Sequence, residues 1–146
     1  MNEDRELFPK VLKLLTKGFL FSTSLSIILL FIMILGFSTW NYPIKTETEQ
    51  IILVDIRLNG VILSFTIVMF IFIMGRIKTV FYEWALTLAT ASLCSFSLSI
   101  FFGFISVLSG SQHEFYPLLP ISFTIVGIMT DVGFLLYAVY KFKEST

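Results

Sequence analysis

"WALTLATASLCSFSLSIFFGFISVL", residues 84–108, contains no Asp, Glu, Lys or Arg. A helix needs about 20 mostly apolar residues to cross the hydrocarbon of a bilayer, and this stretch is long enough. Its small residues recur at one interval. Thr87, Ala91, Ser95, Ser99 and Gly103 are each four positions from the last, so they follow one side of a helix. The row drifts slowly around the axis, because a turn takes 3.6 residues. Helices in lipid have no hydrophobic drive toward one another; they meet by close packing and polar contacts, often at small residues. The ladder is therefore read as the central contact surface of a bundle. The alternative is that it faces a second protein.

Three similar runs lie on either side. Gly18 to Ile44 and Leu58 to Gly75 are uncharged, and Tyr116 to Tyr140 is interrupted only by Asp131. The chain is 56% hydrophobic and 14% charged, against roughly 25% charged in ordinary soluble domains. The expected fold is all-α: an integral membrane four-helix bundle. Its spans fall at about 18–40, 54–75, 82–108 and 116–140 within a transmembrane domain of 18–141, with a tail at 142–146. Trp40 and Tyr42 suit an interface, and Pro43 marks the chain's exit from the first span. The connections are short, so sequential neighbours are expected to pack antiparallel.

Lys and Arg orient such a bundle. Arg5, Lys10, Lys13, Lys17, Arg76, Lys78, Lys141 and Lys143 fall on one side, and only Lys45 and Arg57 on the other. Both termini are therefore expected in the cytoplasm, with the bundle in a plasma or cell membrane. No cleavable signal peptide is expected, because the first apolar block is too long for a signal h-region. Residues 1–17 form a cytoplasmic segment with Phe8, Leu12 and Leu15 on one helical face and Lys10, Lys13 and Lys17 on another. They read either as a short basic amphipathic helix at headgroup level, starting near Pro9, or as a solvated stub.

An acid at membrane depth must be paired, hydrated or protonated. Ten residues separate Asp131 from Lys141, which puts it roughly 15 Å from that end of the span. The same count from the charged ends brings Ser26, Thr66, Ser92 and Ser95 to a similar depth. Asp131 is thus read as part of a layer of hydroxyls. Asp55 and Arg57 are placed in the outer interfacial zone, and Arg57 lies too far outward to reach Asp131. Two roles compete for Asp131: a polar tie between helices, and a proton or cation site in a transport path. The tie is preferred, because coupled transport usually shows additional intramembrane acids, broken helices or repeated halves.

Catalytic and metal constellations are missing from the sequence. A single cysteine, Cys94, excludes an internal disulfide, and the only histidine, His113, lies beside Glu114 with no nucleophile set against it. No HExxH or phosphate-binding Gly loop occurs. No cofactor and no metal are expected, and the zero net charge offers nothing to a nucleic-acid backbone. The seventeen phenylalanines are read as lipid-facing and interhelical filler.

The chain resembles the claudin and peripheral-myelin-protein group of four-span proteins. Trp40 closes the first span, "LVDIRLNGVIL" at 53–63 opens the second, "LTLATASLCSFSLSIFF" at 86–102 resembles that group's third span, and "FYPLLP" at 115–120 leads into the fourth. The resemblance covers the membrane part alone. The group's first outer segment is long and carries a Trp-Gly-Leu-Trp-Cys-Cys signature; here sixteen residues without cysteine separate Trp40 from Arg57. The group's extracellular sheet and adhesive role are therefore not implied.

The functional expectation is a non-catalytic accessory or regulatory subunit acting through helix–helix contacts in a larger membrane complex. Its partners are membrane lipid and either a membrane protein or further copies of itself. The alternatives are a small oligomeric ion- or proton-coupled carrier or channel using Asp131, and a membrane immunity protein.

Overall fold

The computed structural model describes residues 3–40, 48–74, 82–109 and 118–144. Lys45, Arg76, Lys78, His113 and Glu114 lie outside them. The described residues are helical apart from a turn at Ser109. The helices are α1 (Glu3–Trp40), α2 (Thr48–Met74), α3 (Tyr82–Leu108) and α4 (Leu118–Glu144). Each contains a stretch long and apolar enough to cross a membrane: Leu12–Gly36, Gln50–Ile73, Glu83–Leu108 and Leu118–Tyr140. Pro120 sits in the first turn of α4, where its missing N–H costs no helical hydrogen bond.

Two boundaries differ from the sequence reading. α1 runs unbroken from Glu3 through Pro9 to Trp40, so residues 3–17 continue the first span as one helix and do not form a separate one. No second proline or tight turn intervenes between Pro9 and Gly18 to break it. α2 begins at Thr48, ahead of the expected span of 54–75, and Ile51 to Val54 extend its apolar run outward; Asp55 and Arg57 lie within both ranges.

α3 packs against all three other helices, α4 packs against both α1 and α2, and α1 and α2 make no mutual contact among the described residues. The cross-section is a diamond with α3 and α4 on its short diagonal. Burial follows this plan: half of the α4 stretch is buried, but only 17% of those of α1 and α2. The expectation that all sequential neighbours pack together is thus corrected for α1 and α2. A short connection limits how far two helices can separate, but small residues decide which helix each one packs against.

Those small residues also fix the direction of each helix. Gly18 of α1 lies against Thr90 and the Ala91 backbone nitrogen of α3, and Ser22 against Ser95, so α1 and α3 run the same way. Gly127 of α4 lies under the ring of Phe96, while Thr124 meets Ser99, so α4 runs the other way. Gly103 of α3 abuts Ile56 of α2, and Asn59 meets Ser99, so α2 also opposes α3. α1 begins and α4 ends at the same end of the bundle, hereafter the near end.

The ladder of small residues on α3 does not serve one partner. Each four-residue step rotates the row by about 40°, so Thr87 and Gly103 differ by roughly 160°. Ala91 and Ser95 face α1, Ser99 reaches α2 and α4, and Gly103 meets α2. One row of small side chains thereby seats several neighbours in succession.

Candidate functional site

Polar side chains gather in two layers inside the bundle, and their spacing repeats on three helices. Asn59 and Thr66 on α2, Ser92 and Ser99 on α3, and Thr124 and Asp131 on α4 are each seven residues apart. Seven residues make nearly two full turns and about 10 Å of rise. Each helix therefore offers two polar groups on one face, and the three helices bring them together in pairs of layers.

The near layer centres on Asp131. Thr66 Oγ1 donates to its Oδ2 at 2.6 Å and Ser92 Oγ to its Oδ1 at 2.6 Å. Each carboxylate oxygen thus has a hydroxyl donor from a different helix. Thr66 and Ser92 are fully buried, and Asp131 is half-buried. Ser95 turns to α1, where it shares a 2.6 Å hydrogen bond with Ser22. Ser26 is buried on α1, and its hydroxyl has no partner among the described residues. Of the four hydroxyls counted to this depth, two reach the acid and two do not.

The far layer centres on Asp55, Asn59, Ser99 and Thr124. The amide of Asn59 donates toward Asp55 at 3.0 Å, Ser99 at 2.9 Å and Thr124 at 2.8 Å. Thr124 Oγ1 lies 3.0 and 3.1 Å from the two oxygens of Asp55, and Ser99 Oγ lies 3.1 Å from one of them. Both hydroxyls also reach the Pro120 carbonyl, at 2.8 Å from Ser99 and 3.1 Å from Thr124.

The residue count gives the depth of Asp55 but leaves open its direction around α2. The Asp55 carboxylate turns inward, and no ion pair joins it to Arg57 among the described residues. Positions two apart point to different sides of a helix, whereas Asp55 and Asn59 at i,i+4 share one. Arg57 itself is exposed. Asn59 and Thr124 are the polar residues that sequence reasoning passed over. The sign that marks them is the seven-residue spacing to Thr66 and to Asp131.

The two layers are kept apart by apolar packing. Phe96, fully buried, lies on Gly127 between them. On the near side, Ile73, Ala85, Ala89, Phe134 and Ala138 form an apolar cluster. On the far side Phe102 stacks on Phe123 with ring centroids 5.6 Å apart. Cys94 is half-buried and free. An open groove of about 400 Å³ at the near end, between α1 and α3, is lined by Leu14, Lys17, Phe21, Glu83, Trp84 and Thr87 and touches neither layer. No set of three His, Cys, Asp or Glu side chains is placed to hold a metal among the described residues.

Chemically, the layers offer hard oxygen donors, two carboxylates and one amide. They can tie helices by hydrogen bonds, hold a proton, or coordinate a cation. No family model, curated protein or solved structure matches the chain.

Proposed function

We propose that the chain is a non-catalytic, multi-pass membrane protein with both termini cytoplasmic, and that it works by lateral helix contact as an accessory or regulatory subunit of a larger assembly. One observation carries this reading. The polar groups of α2, α3 and α4 turn to one another inside the bundle, while the faces that α1 and α2 turn outward are made of large apolar side chains. Phe31, Ile32 and Leu35 on α1 and Val61, Phe65 and Val68 on α2 are all exposed. Because α1 and α2 do not touch, these two faces are separate and lie on opposite sides of the diamond. The described residues are almost all helix, so helix faces are the main surface available for contact. The orientation rests on the eight-to-two division of Lys and Arg.

The test places a photoreactive side chain at Phe31, Leu35, Val61 or Phe65 of the full chain in its native membrane. The expected result is a discrete adduct of higher mass from one of the two faces. Lipid adducts alone from all four positions would contradict lateral contact.

A second reading gains a specific observation. Transport usually needs more than one intramembrane acid, and Asp55 is turned into the bundle beside polar groups of α3 and α4. Ion flux in liposomes that vanishes in Asp131→Asn would establish this reading in place of the first.

A further inference from the structure

The hydrogen bonds of the far layer do not balance. An Asn amide has two N–H donors and one carbonyl acceptor. The Asn59 nitrogen faces three acceptors, Asp55 Oδ2, Ser99 Oγ and Thr124 Oγ1, at 2.8 to 3.0 Å. Its Oδ1, on the other side of the same amide, is buried and has no partner, in a residue with no exposed surface. The two hydroxyls are also oversubscribed. Each has a single hydrogen, yet Ser99 lies within bonding distance of Asp55, Thr124 and the Pro120 carbonyl, and Thr124 of both Asp55 oxygens and that carbonyl. A buried polar atom without a partner is uncommon and costly. Here the surplus of oxygen lies at the opposite, nitrogen end of the same amide.

We propose that this cluster binds one desolvated monovalent cation of sodium's size. Its ligands are the Asp55 carboxylate, the Ser99 and Thr124 hydroxyl oxygens, the Pro120 carbonyl and the Asn59 carbonyl after a half-turn of the amide. The two ends of an amide are nearly equal in shape. The half-turn therefore needs no repacking; it puts the oxygen where the nitrogen now lies and the nitrogen where Oδ1 now lies. Without a cation, that oxygen would face the carboxylate and be repelled; with one, it becomes a ligand. The orientation of the Asn59 amide thus distinguishes the filled site from the empty one.

Charge and donor count select the ion. One carboxylate balances one positive charge, and a filled site is neutral at a depth where an isolated charge is costly. Calcium takes six to eight oxygens, and magnesium demands a near-ideal octahedron. Five oxygens with a single carboxylate suit neither. Sodium is close to calcium in size, so its bonds to oxygen are about 2.4 Å and neighbouring ligands sit about 3.4 Å apart. The contacts of 2.8 to 3.1 Å in the layer need to open by about 0.3 to 0.6 Å to reach that spacing. A larger potassium ion sets its ligands further apart and needs a wider opening of the same contacts. Asn59, Ser99, Thr124 and Pro120 are buried and Asp55 is only half-buried, so the ion enters past the carboxylate.

The proposal requires neither functional reading above. A bound ion ties α2, α3 and α4 together whether or not it crosses the membrane. The test is thermal unfolding of the full chain in detergent, in sodium, potassium or choline chloride at equal ionic strength. A ligand that binds only the folded state raises the unfolding temperature with its concentration. The expected result is a saturable rise specific to sodium, lost in Asp55→Asn and kept in Asp131→Asn. Equal unfolding temperatures in the three salts, or the same rise in Asp55→Asn, would overturn the site. If Asp55→Asn does not fold, Ser99→Ala decides: the site requires half-saturation to move by at least about tenfold, and an unchanged midpoint overturns it.

Discussion

A leucine at position 127 is expected to push α4 off α3 and destabilise the bundle by about 3 kcal/mol, the upper end of the usual cost of overpacking. A Cβ built on Gly127 would lie 2.8 Å from two carbons of the Phe96 ring, well inside carbon–carbon contact distance. The ring cannot move aside easily. It is rigid, has no exposed surface and sits between the two polar layers. A shift large enough to admit leucine would pull Ser92 from Asp131 on one side and Ser99 from Thr124 on the other. Gly133 is the control, because nothing lies within 4 Å of a Cβ at that position, and Gly133→Leu should leave the bundle intact. Unfolding in detergent, followed by helical signal, compares the two. Equal stability of the two variants would mean that α4 does not approach α3 at Gly127.

The second large effect is expected when Asp131 loses both its donors. Thr66→Val and Ser92→Ala keep nearly the shape of the side chains and remove only the hydroxyls. Either change alone should cost roughly 0.6 kcal/mol, the average for a hydrogen bond between membrane helices, because the remaining donor still holds the carboxyl. Together they leave an acid at membrane depth with no partner, at a cost of about 2.5 to 3.5 kcal/mol. Adding Asp131→Leu should then recover most of the loss, since replacing all partners by apolar groups can be nearly neutral. Stability of the two singles, the double and the triple variant measures the coupling. A double variant that costs no more than the sum of the singles, or a triple variant without recovery, would mean that the near layer is not organised around Asp131.

Depth along a helix was easier to read from the sequence than direction around it. Counting residues from the charged ends brings Thr66, Ser92, Ser95 and Ser26 to the level of Asp131, because rise per residue is constant. Only Thr66 and Ser92 turn toward it, because direction depends on where three helices meet. Asp55 makes the same point. Its distance from the span's end is that of an interfacial residue, but the side of α2 that carries Asp55 and Asn59 is the side that meets α3 and α4. The arrangement of the helices was less legible still. Short connections do not reveal that α1 and α2 stand apart. The row from Thr87 to Gly103 does carry that information, since its drift of about 40° per step sweeps from one neighbour to another.

The position of α3 as common partner of the other three helices underlies both polar layers and the outward faces of α1 and α2. It can be measured in native membranes with Ser22→Cys and Ser95→Cys in a Cys94→Ala background. The two hydroxyl oxygens are 2.6 Å apart, close to the length of about 2.05 Å that a disulfide spans. The expected result is rapid, nearly complete intramolecular crosslinking of α1 to α3 under mild oxidation, with no crosslink when the second cysteine is moved to Phe65 on the outward face of α2. A failure of the first pair to crosslink, or an equal crosslink from Ser22→Cys to α2, would contradict the central place of α3.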